Sequence, residues 1–267
     1  MCKDPALTYL RKYGYCVVRL PTTQLRPMDV LGRDGDTPTY LGSIAKLCED
    51  APPIPKAKSD TVTEIEGKST GTFTLDAGLR ILDGLIAGFG AITGSARTGY
   101  GKVKYLRFAF DAPIVRSIDL GAIGDWLGEA KPSFKNVVAT HFLTDPDPDV
   151  SALIVHSVLL SKEITVTALD DVRQEVGVDV SALRATTSGA LKIEHAARSG
   201  NQVRYVGDKL LTFGFACRRI VYEEQRWAIP NLHRKDTPYA GIGAEGADED
   251  LGEELLDVNY SAEGGTL

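Results

Sequence analysis

An alternation of apolar and polar residues over positions 157–168 most constrains what this chain can fold into. One set of alternate positions is apolar apart from one lysine: Val158, Leu160, Lys162, Ile164, Val166 and Ala168. The intervening positions are serine, threonine or glutamate in all but one case. A period of two predicts a β-strand with one apolar face and one largely polar face. A second run repeats the pattern at Leu211, Phe213, Phe215 and Cys217.

Other segments predict a mixture of strands and helices. Residues 102–110 favour a further strand, and the stretch around 199–201 favours a hairpin turn. An antiparallel sheet with one face on the core and one in water explains the alternation. Alternating strands of about ten residues are also the unit of a membrane β-barrel wall. The expected fold class is α+β, with a twisted, mainly antiparallel sheet surrounded by helices.

The opening residues predict a short helix followed by a strand. Asp4 suits an N-cap, Pro5 the first helical position and Gly14 a helix end. Residues 16–20, CVVRL, then favour a strand that ends at Pro21.

A glycine-rich apolar segment at 78–101 admits more than one interpretation. Gly88, Gly90 and Gly94 follow the spacing GxGxxxG, which misses the dinucleotide-binding fingerprint by one residue. Small residues four apart resemble membrane-helix packing, but Asp83 and the short apolar length argue against a spanning helix. The remaining interpretations are a buried helix whose glycines allow close packing, or a segment that glycine keeps uncommitted and able to refold.

Acidic charge is concentrated at the end of the chain. Residues 236–267 hold nine of the 36 acidic residues and no lysine or arginine. The other 27 acids face all 30 basic residues, so residues 1–235 alone carry a net charge of +3. Loss of the tail would favour approach to an anionic surface such as a phospholipid leaflet. A solvating acidic tail is the plainer interpretation of the same composition.

Patterns for catalysis or metal binding are absent from the sequence. The four cysteines form no CxxC pair, the four histidines form no HxxxH pair, and no GxSxG occurs. Cys2 allows two uses besides an inert thiol. It could be the nucleophile of an N-terminal cysteine hydrolase, or an S-acylation site beside a basic helix. Mild basicity without RNA-binding aromatic motifs makes nucleic acid a poor partner.

The opening MCKDPALTYLRKYGYCVVRLP resembles the amino terminus of the bacterial gasdermins. It shares their acyl-accepting cysteine, their DPA-type helix start and their GY-x-VVRLP strand. The glycine-rich segment, the long alternating strands and the short acidic tail follow in the family's order. The resemblance implies an autoinhibited pore-forming protein that is not an enzyme. Its expected domains are a pore-forming body, 1–235, and an autoinhibitory peptide, 236–267, that a partner protease removes.

The resemblance also implies how the protein is activated, where it acts and which partners it has. The protein would be a cytoplasmic monomer until the cut, when the body would oligomerise into large pores in the inner membrane and kill the phage-infected cell. Its partners would be membrane phospholipids and a caspase-like or trypsin-like protease. No cofactor is expected beyond a palmitate on Cys2, held in an apolar groove in the resting state.

Particular residues carry these expectations. The candidate cleavage residues are Arg234, Lys235, Asp236, Asp248, Asp250 and Leu251. The candidate anchors of the inhibitory peptide are Leu251, Leu255, Leu256, Val258 and Tyr260. Residues 151–168 with 191–222 are expected to supply one membrane hairpin, and the glycine-rich segment with 102–118 the other. The candidate membrane-facing residues are Val158, Leu160, Ile164, Val166, Leu211, Phe213 and Phe215. Val158→Asp or Ile164→Asp is expected to abolish leakage and leave the resting protein soluble.

Overall fold

One curled sheet of eleven strands organises the protein, and all its strand pairs are antiparallel. The structure is a computed structural model that describes residues 16–34, 37–62, 69–93, 96–100, 103–144, 150–188, 191–196, 200–223 and 226–229. The strands of the first half are β1 Cys16–Thr22, β2 Asp29–Asp34, β3 Thr37–Ser43, β4 Cys48–Asp50, β5 Lys58–Thr61, β6 Ser69–Thr74 and β7 Ile92–Thr93. The later strands are β8 Tyr105–Asp111, β9 Ile114–Ser117, β10 Lys131–Pro132, β11 Val150–Leu169, β12 Thr187–Ser188, β13 Leu191–His195, β14 Gln202–Glu223 and β15 Arg226–Ala228.

The centre of the sheet is the pair β11 and β14. The main path runs β1-β14-β11-β2-β3. β13 and β15 add to β14, β8 and β9 add to β11, and β6 and β5 extend these in turn. The pairs β4 with β10 and β7 with β12 form separate two-stranded sheets. The α+β, mainly antiparallel fold expected from the sequence is therefore confirmed.

Four α-helices accompany the sheet in the described residues. They are α1 Leu75–Gly88, α2 Leu120–Glu129, α3 Val137–Thr144 and α4 Val180–Thr186, with 3₁₀ turns at Ile44–Leu47 and Ala96–Tyr100. The Asp119 carboxylate accepts a hydrogen bond from the Gly121 N–H at 2.8 Å and caps α2. The described helices include none long and apolar enough to cross a bilayer.

The first part of the glycine-rich segment, up to Gly88, belongs to helix α1 in this conformation, and Gly78 packs against the sheet. The later part contains β7 and the 3₁₀ turn Ala96–Tyr100 instead of a continued helix. A Cβ on Gly78 would lie 2.9 Å from the Leu106 side chain of β8. The glycine therefore permits a close approach between helix and strand that alanine would obstruct.

The core lies on both faces of β11. Ala152 and Ile154 join a cluster under α2 that includes Ile123 and Trp126. Leu153, between them, joins a cluster with Leu31. Successive side chains of a strand point to opposite faces, so we call these the helix-covered face and the opposite face. A third cluster, which contains the α1 residues Leu82 and Ile86, continues the helix-covered face along the second half of β11.

Burial on both faces corrects the expected sheet with one face in water. Eleven of the twelve positions 150–161 of β11 are buried, and His156 is half-buried. The one fully exposed residue of this strand is Lys162, at the start of its second half. The strand at 16–20 is confirmed as β1, but its predicted end at Pro21 is wrong, because β1 lies at the end of the main sheet path, where proline is tolerated, and continues to Thr22. The hairpin around 200 is confirmed as the β13–β14 connection. The opening helix predicted at 4–14 lies outside the described residues.

Candidate membrane-inserting site

The two longest strands of the protein form the candidate site. β11 has 20 residues and β14 has 22, and their pairing runs from Ala152 opposite Ile220 to Thr167 opposite Gln202. A strand tilted across a bilayer needs only about 9–11 residues. Each strand is therefore about twice as long as the stretch needed to cross the hydrocarbon region of a bilayer.

Three register irregularities interrupt this pair. They fall between Val155 and Ser157, between Leu159 and Leu160, and between Ser161 and Glu163. At the second, β14 carries the extra residue, Phe213. At the third, Lys162 of β11 lies opposite residues 207–210 of β14. Each extra residue reverses which face the following side chains occupy.

The irregularities divide the seven candidate membrane-facing residues between two faces. Val158, Leu160 and Phe215 lie in the cluster of the opposite face. The other four lie in the cluster under α1: Ile164, Val166, Leu211 and Phe213. The single apolar face predicted by the alternation is therefore wrong for this conformation, because the extra residues shift the parity midway along each strand. All seven are at most 5% exposed.

Ser161 lies at the corner where β11 changes partners. β11 pairs with β9 up to Leu160 and with β8 from Glu163 onward. The Ser161 hydroxyl lies 2.7 Å from the Asp111 carbonyl oxygen and 2.9 Å from that of Glu163, and it accepts the Glu163 N–H at 3.0 Å. The side chain, which is 0% exposed, therefore replaces ladder hydrogen bonds that the corner interrupts.

A polar network covers the opposite face beyond this corner. The Arg204 guanidinium of β14 pairs with the Glu163 carboxylate of β11. Its Nε lies 4.0 Å from Asp111 Oδ2 of β8, and the Thr165 hydroxyl donates to the same oxygen at 2.7 Å. The network thus joins three neighbouring strands. Sequence reasoning missed it, because Asp111, Glu163 and Arg204 are distant in the chain.

Two buried contacts tie the helix-covered face of β14 to the elements above it. The hydroxyl oxygens of Tyr100 and Tyr205 lie 2.8 Å apart, and neither ring is more than 1% exposed. A Cβ on Gly207 would lie 2.0 Å from the Phe89 ring, which follows the last residue of α1. Phe89 therefore packs directly on the strand backbone, and only glycine leaves room for it.

Several candidate residues fall outside the described part of the chain. These are the acylation candidate Cys2, the cleavage candidates at 234–251 and the anchors at 251–260. Among described cysteines, burial raises the pKa of the Cys48 thiol to about 11, so this thiol stays protonated at neutral pH. The described residues contain no cluster of three potential metal ligands.

Comparisons with known proteins agree with this architecture. The profile of the Bacterial Gasdermin Family matches residues 18–228. The protein named Gasdermin bGSDM from Vitiosangium sp. is 32% identical over 222 residues, which cover 82% of each chain. Its namesake from Lysobacter enzymogenes is 28% identical over 235 residues, 86% of this chain and 85% of the relative. The solved structure of a bacterial gasdermin from Bradyrhizobium tropiciagri superposes with a TM-score of 0.60 at 16% identity, covering 86% and 91% of the two chains.

These matches define the class of the molecule as a pore-forming fold, and its members are not enzymes. The chain belongs to the bacterial gasdermin family. Membership of this family argues against an N-terminal cysteine hydrolase at Cys2.

Proposed function

We propose that this protein is an autoinhibited pore former activated by proteolysis. A protease removes residues 236–267, and the body, 1–235, assembles into a large pore in the inner membrane. Cell death then follows as a defence against phage. The observation that carries the proposal is the central pair of 20- and 22-residue strands, whose apolar side chains are buried on both faces.

Removal of the register irregularities would turn these strands into a membrane wall. Without extra residues, a strand keeps strict alternation, and Val158, Leu160, Ile164 and Val166 would share one face. Leu211, Phe213 and Phe215 would share one face of β14 in the same way. The alternation in the sequence therefore fits a straight strand better than the bent strand of this conformation.

Closure of the wall requires several copies. An open strand edge in hydrocarbon leaves backbone N–H and C=O groups without partners, at several kcal/mol for each group. Hairpins from 151–168 with 191–222, and from the glycine-rich segment with 102–118, would pair with those of neighbouring subunits around a ring. The resting protein, by contrast, is proposed to be a cytoplasmic monomer.

Membrane targeting would combine charge with a lipid anchor. The body carries +3 once the acidic tail has left. One acyl chain gives only marginal attachment, so a palmitate on Cys2 needs such a second signal. The cut is proposed within 233–251, by a trypsin-like enzyme at Arg234 or Lys235, or by a caspase-like enzyme at Asp236, Asp248 or Asp250.

Dye release from anionic liposomes tests the proposal. The full chain is compared with a protein cut at an engineered protease site after Lys235. Leakage from the cut protein alone is the expected result. If the cut protein stays silent even with Cys2 acylated, the proposed function is wrong.

A further inference from the structure

Arg218 is a buried cation that lacks a partner within the described residues. Its side chain is 8% exposed, and its Nε has no hydrogen-bond partner in the described part of the chain. It lies on β14 opposite Ile154, so it shares the helix-covered face with the cluster under α2. A buried charge is costly unless an opposite charge and hydrogen bonds compensate it. The position is therefore suited to an anion.

The described surroundings do not supply that anion. None of the ion pairs formed within the described ranges includes Arg218. Among the described ionisable groups, His156 interacts electrostatically with Arg218. A histidine cannot carry a negative charge, so it does not compensate the arginine. A carboxylate must come from elsewhere in the chain or from a ligand.

Part of the β14 edge beside Arg218 is not paired with any described strand. β1 pairs with β14 only as far as Phe215, and β15 pairs with it only from Val221. Between these points, β14 has no described strand partner on that side. An unpaired strand edge is a template for a further extended segment.

The chain leaves the described structure towards this edge. β15 pairs Arg226 with Glu223 and Ala228 with Val221, so it runs antiparallel in the direction of Arg218. Ile229, the last described residue, packs against the same cluster under α2. The first acid of the tail, Asp236, follows seven residues later, a reach of up to about 23 Å. The tail can therefore bring a carboxylate to Arg218.

Charge selects the tail rather than the amino terminus as the occupant. Residues 236–267 contain nine acids and no bases. Residues 1–15 contain Lys3, Arg11 and Lys12 against the single acid Asp4, so they would repel Arg218.

We propose that Arg218 binds a carboxylate of the acidic tail, residues 236–267, beside the stretch of β14 between Phe215 and Val221 in the uncut protein. The proposal rests on the proposed function and names the contact by which the tail restrains the body. After the cut, loss of the tail leaves a buried, uncompensated charge at the edge of β14. The resting conformation then becomes less stable, which couples proteolysis to refolding.

Zero-length cross-linking of the full chain tests the contact directly. A water-soluble carbodiimide activates a carboxylate, a nearby lysine amine attacks it, and an amide forms as the carbodiimide leaves as a urea. In the Arg218→Lys variant, mass spectrometry is expected to find an amide between position 218 and an acid of 236–267. The Arg219→Lys variant is the matched control, since that neighbouring side chain is exposed on the other face.

An internal reference makes the negative result decisive. The Lys135 amine lies 3.3 Å from the Glu49 carboxylate, with both side chains exposed, so this pair should cross-link in every sample. If that amide forms and position 218 links to no acid of the tail, the proposal is overturned.

Liposome leakage separates this inference from the proposed function. Cut Arg218→Met should leak more slowly than the cut parent, because methionine leaves no uncompensated charge to destabilise the resting conformation. Cut Arg173→Met, which lacks an exposed arginine, should leak like the cut parent. If the cut parent leaks and cut Arg218→Met leaks equally fast, the inference is wrong and the pore former stands. If the cut parent does not leak, the proposed function fails, and the cross-linking result decides the contact alone.

Discussion

At the scale of single residues, the buried hydroxyl of Ser161 joins two strands at the corner of β11. Its hydroxyl donates a hydrogen bond to the Asp111 carbonyl and accepts one from the Glu163 N–H at the corner of β11. Ser161→Ala would remove these hydrogen bonds from a fully buried side chain and should lower the unfolding free energy by about 0.5–1.5 kcal/mol for each bond lost. Urea denaturation of the full chain measures the change.

Ser181→Ala is the control for that measurement. Ser181 is exposed on α4, so its loss should change the unfolding free energy by no more than about 0.5 kcal/mol. Equal stability of the two variants would show that the corner does not depend on the Ser161 hydroxyl.

The Tyr100–Tyr205 pair gives a second prediction at this scale. Tyr100→Phe or Tyr205→Phe alone leaves one buried hydroxyl without its partner, so each should cost about 1–3 kcal/mol of unfolding free energy. The double variant removes both hydroxyls and should cost less than the sum. A double-mutant cycle in urea measures the difference, and strictly additive losses would mean that the two hydroxyls do not interact.

At the scale of elements, the contact of Phe89 on Gly207 holds the end of α1 against β14. Gly207→Ala places a Cβ into the Phe89 ring and should lower the unfolding free energy by about 1–3 kcal/mol. Gly124→Ala is the control. Gly124 lies on the exposed side of α2 with nothing within 4 Å of its Cβ position, so alanine there should add about 0.5–1 kcal/mol. Thermal unfolding of both variants against the parent tests the pair.

The burial of Val158 and Ile164 complicates a test of the membrane hairpin by aspartate substitution. Val158 and Ile164 are 1% and 0% exposed, so an aspartate at either position would bury an unpaired charge in the resting protein as well. Loss of leakage in Val158→Asp could then come from misfolding instead of exclusion from lipid. A reversible restraint avoids that ambiguity.

A cross-strand disulfide supplies the restraint. Leu160 and Thr212 are directly opposite in the bent register, and cysteines at opposite positions of an antiparallel pair lie close enough to bond. If pore formation requires a register shift in which Phe213 is no longer an extra residue of β14, a disulfide between Leu160→Cys and Thr212→Cys should prevent that shift. The oxidised, cut protein should then not leak. Leakage should return on reduction. Unchanged leakage from the fully oxidised protein would show that this register survives in the pore.

Sequence patterns predicted the strands better than the faces they present. The alternation at 157–168 located β11, because period two is a local property of the chain. The parity shift at Lys162 depends on residues 207–210 of another strand, which no local pattern reports. The helix in the glycine-rich segment was likewise only one of several interpretations. The contact that packs Gly78 on Leu106 is made with a distant strand, which a local pattern does not report. No sequence pattern singled out Arg218, since its burial comes from the packing of distant elements.

At the scale of the whole molecule, charge divides the chain at residue 235. The body carries +3 and the tail −9, so removal of the tail reverses the sign of the protein. We expect the cut body to sediment with anionic vesicles at low ionic strength and less so at high ionic strength, because salt screens the attraction. Equal binding to neutral vesicles under both conditions would indicate that charge does not direct it.

The apolar residues of the tail give a further prediction at this scale. Leu255→Asp with Leu256→Asp should release the tail and make the uncut protein leak, if these side chains hold the tail on the body. Dye release without protease measures the effect. Continued latency would place the anchoring contacts elsewhere in 236–267.

The candidate membrane-facing residues of β11 and β14 are buried on both faces, and this affects how a cell could store the uncut protein. Val158 and Phe215 on one face, and Ile164 and Leu211 on the other, are buried, so these side chains are not available to a second copy. Under the proposed function, many uncut copies could therefore accumulate without forming pores. The time of the cut would then decide cell death, and the amount of protein made would matter much less.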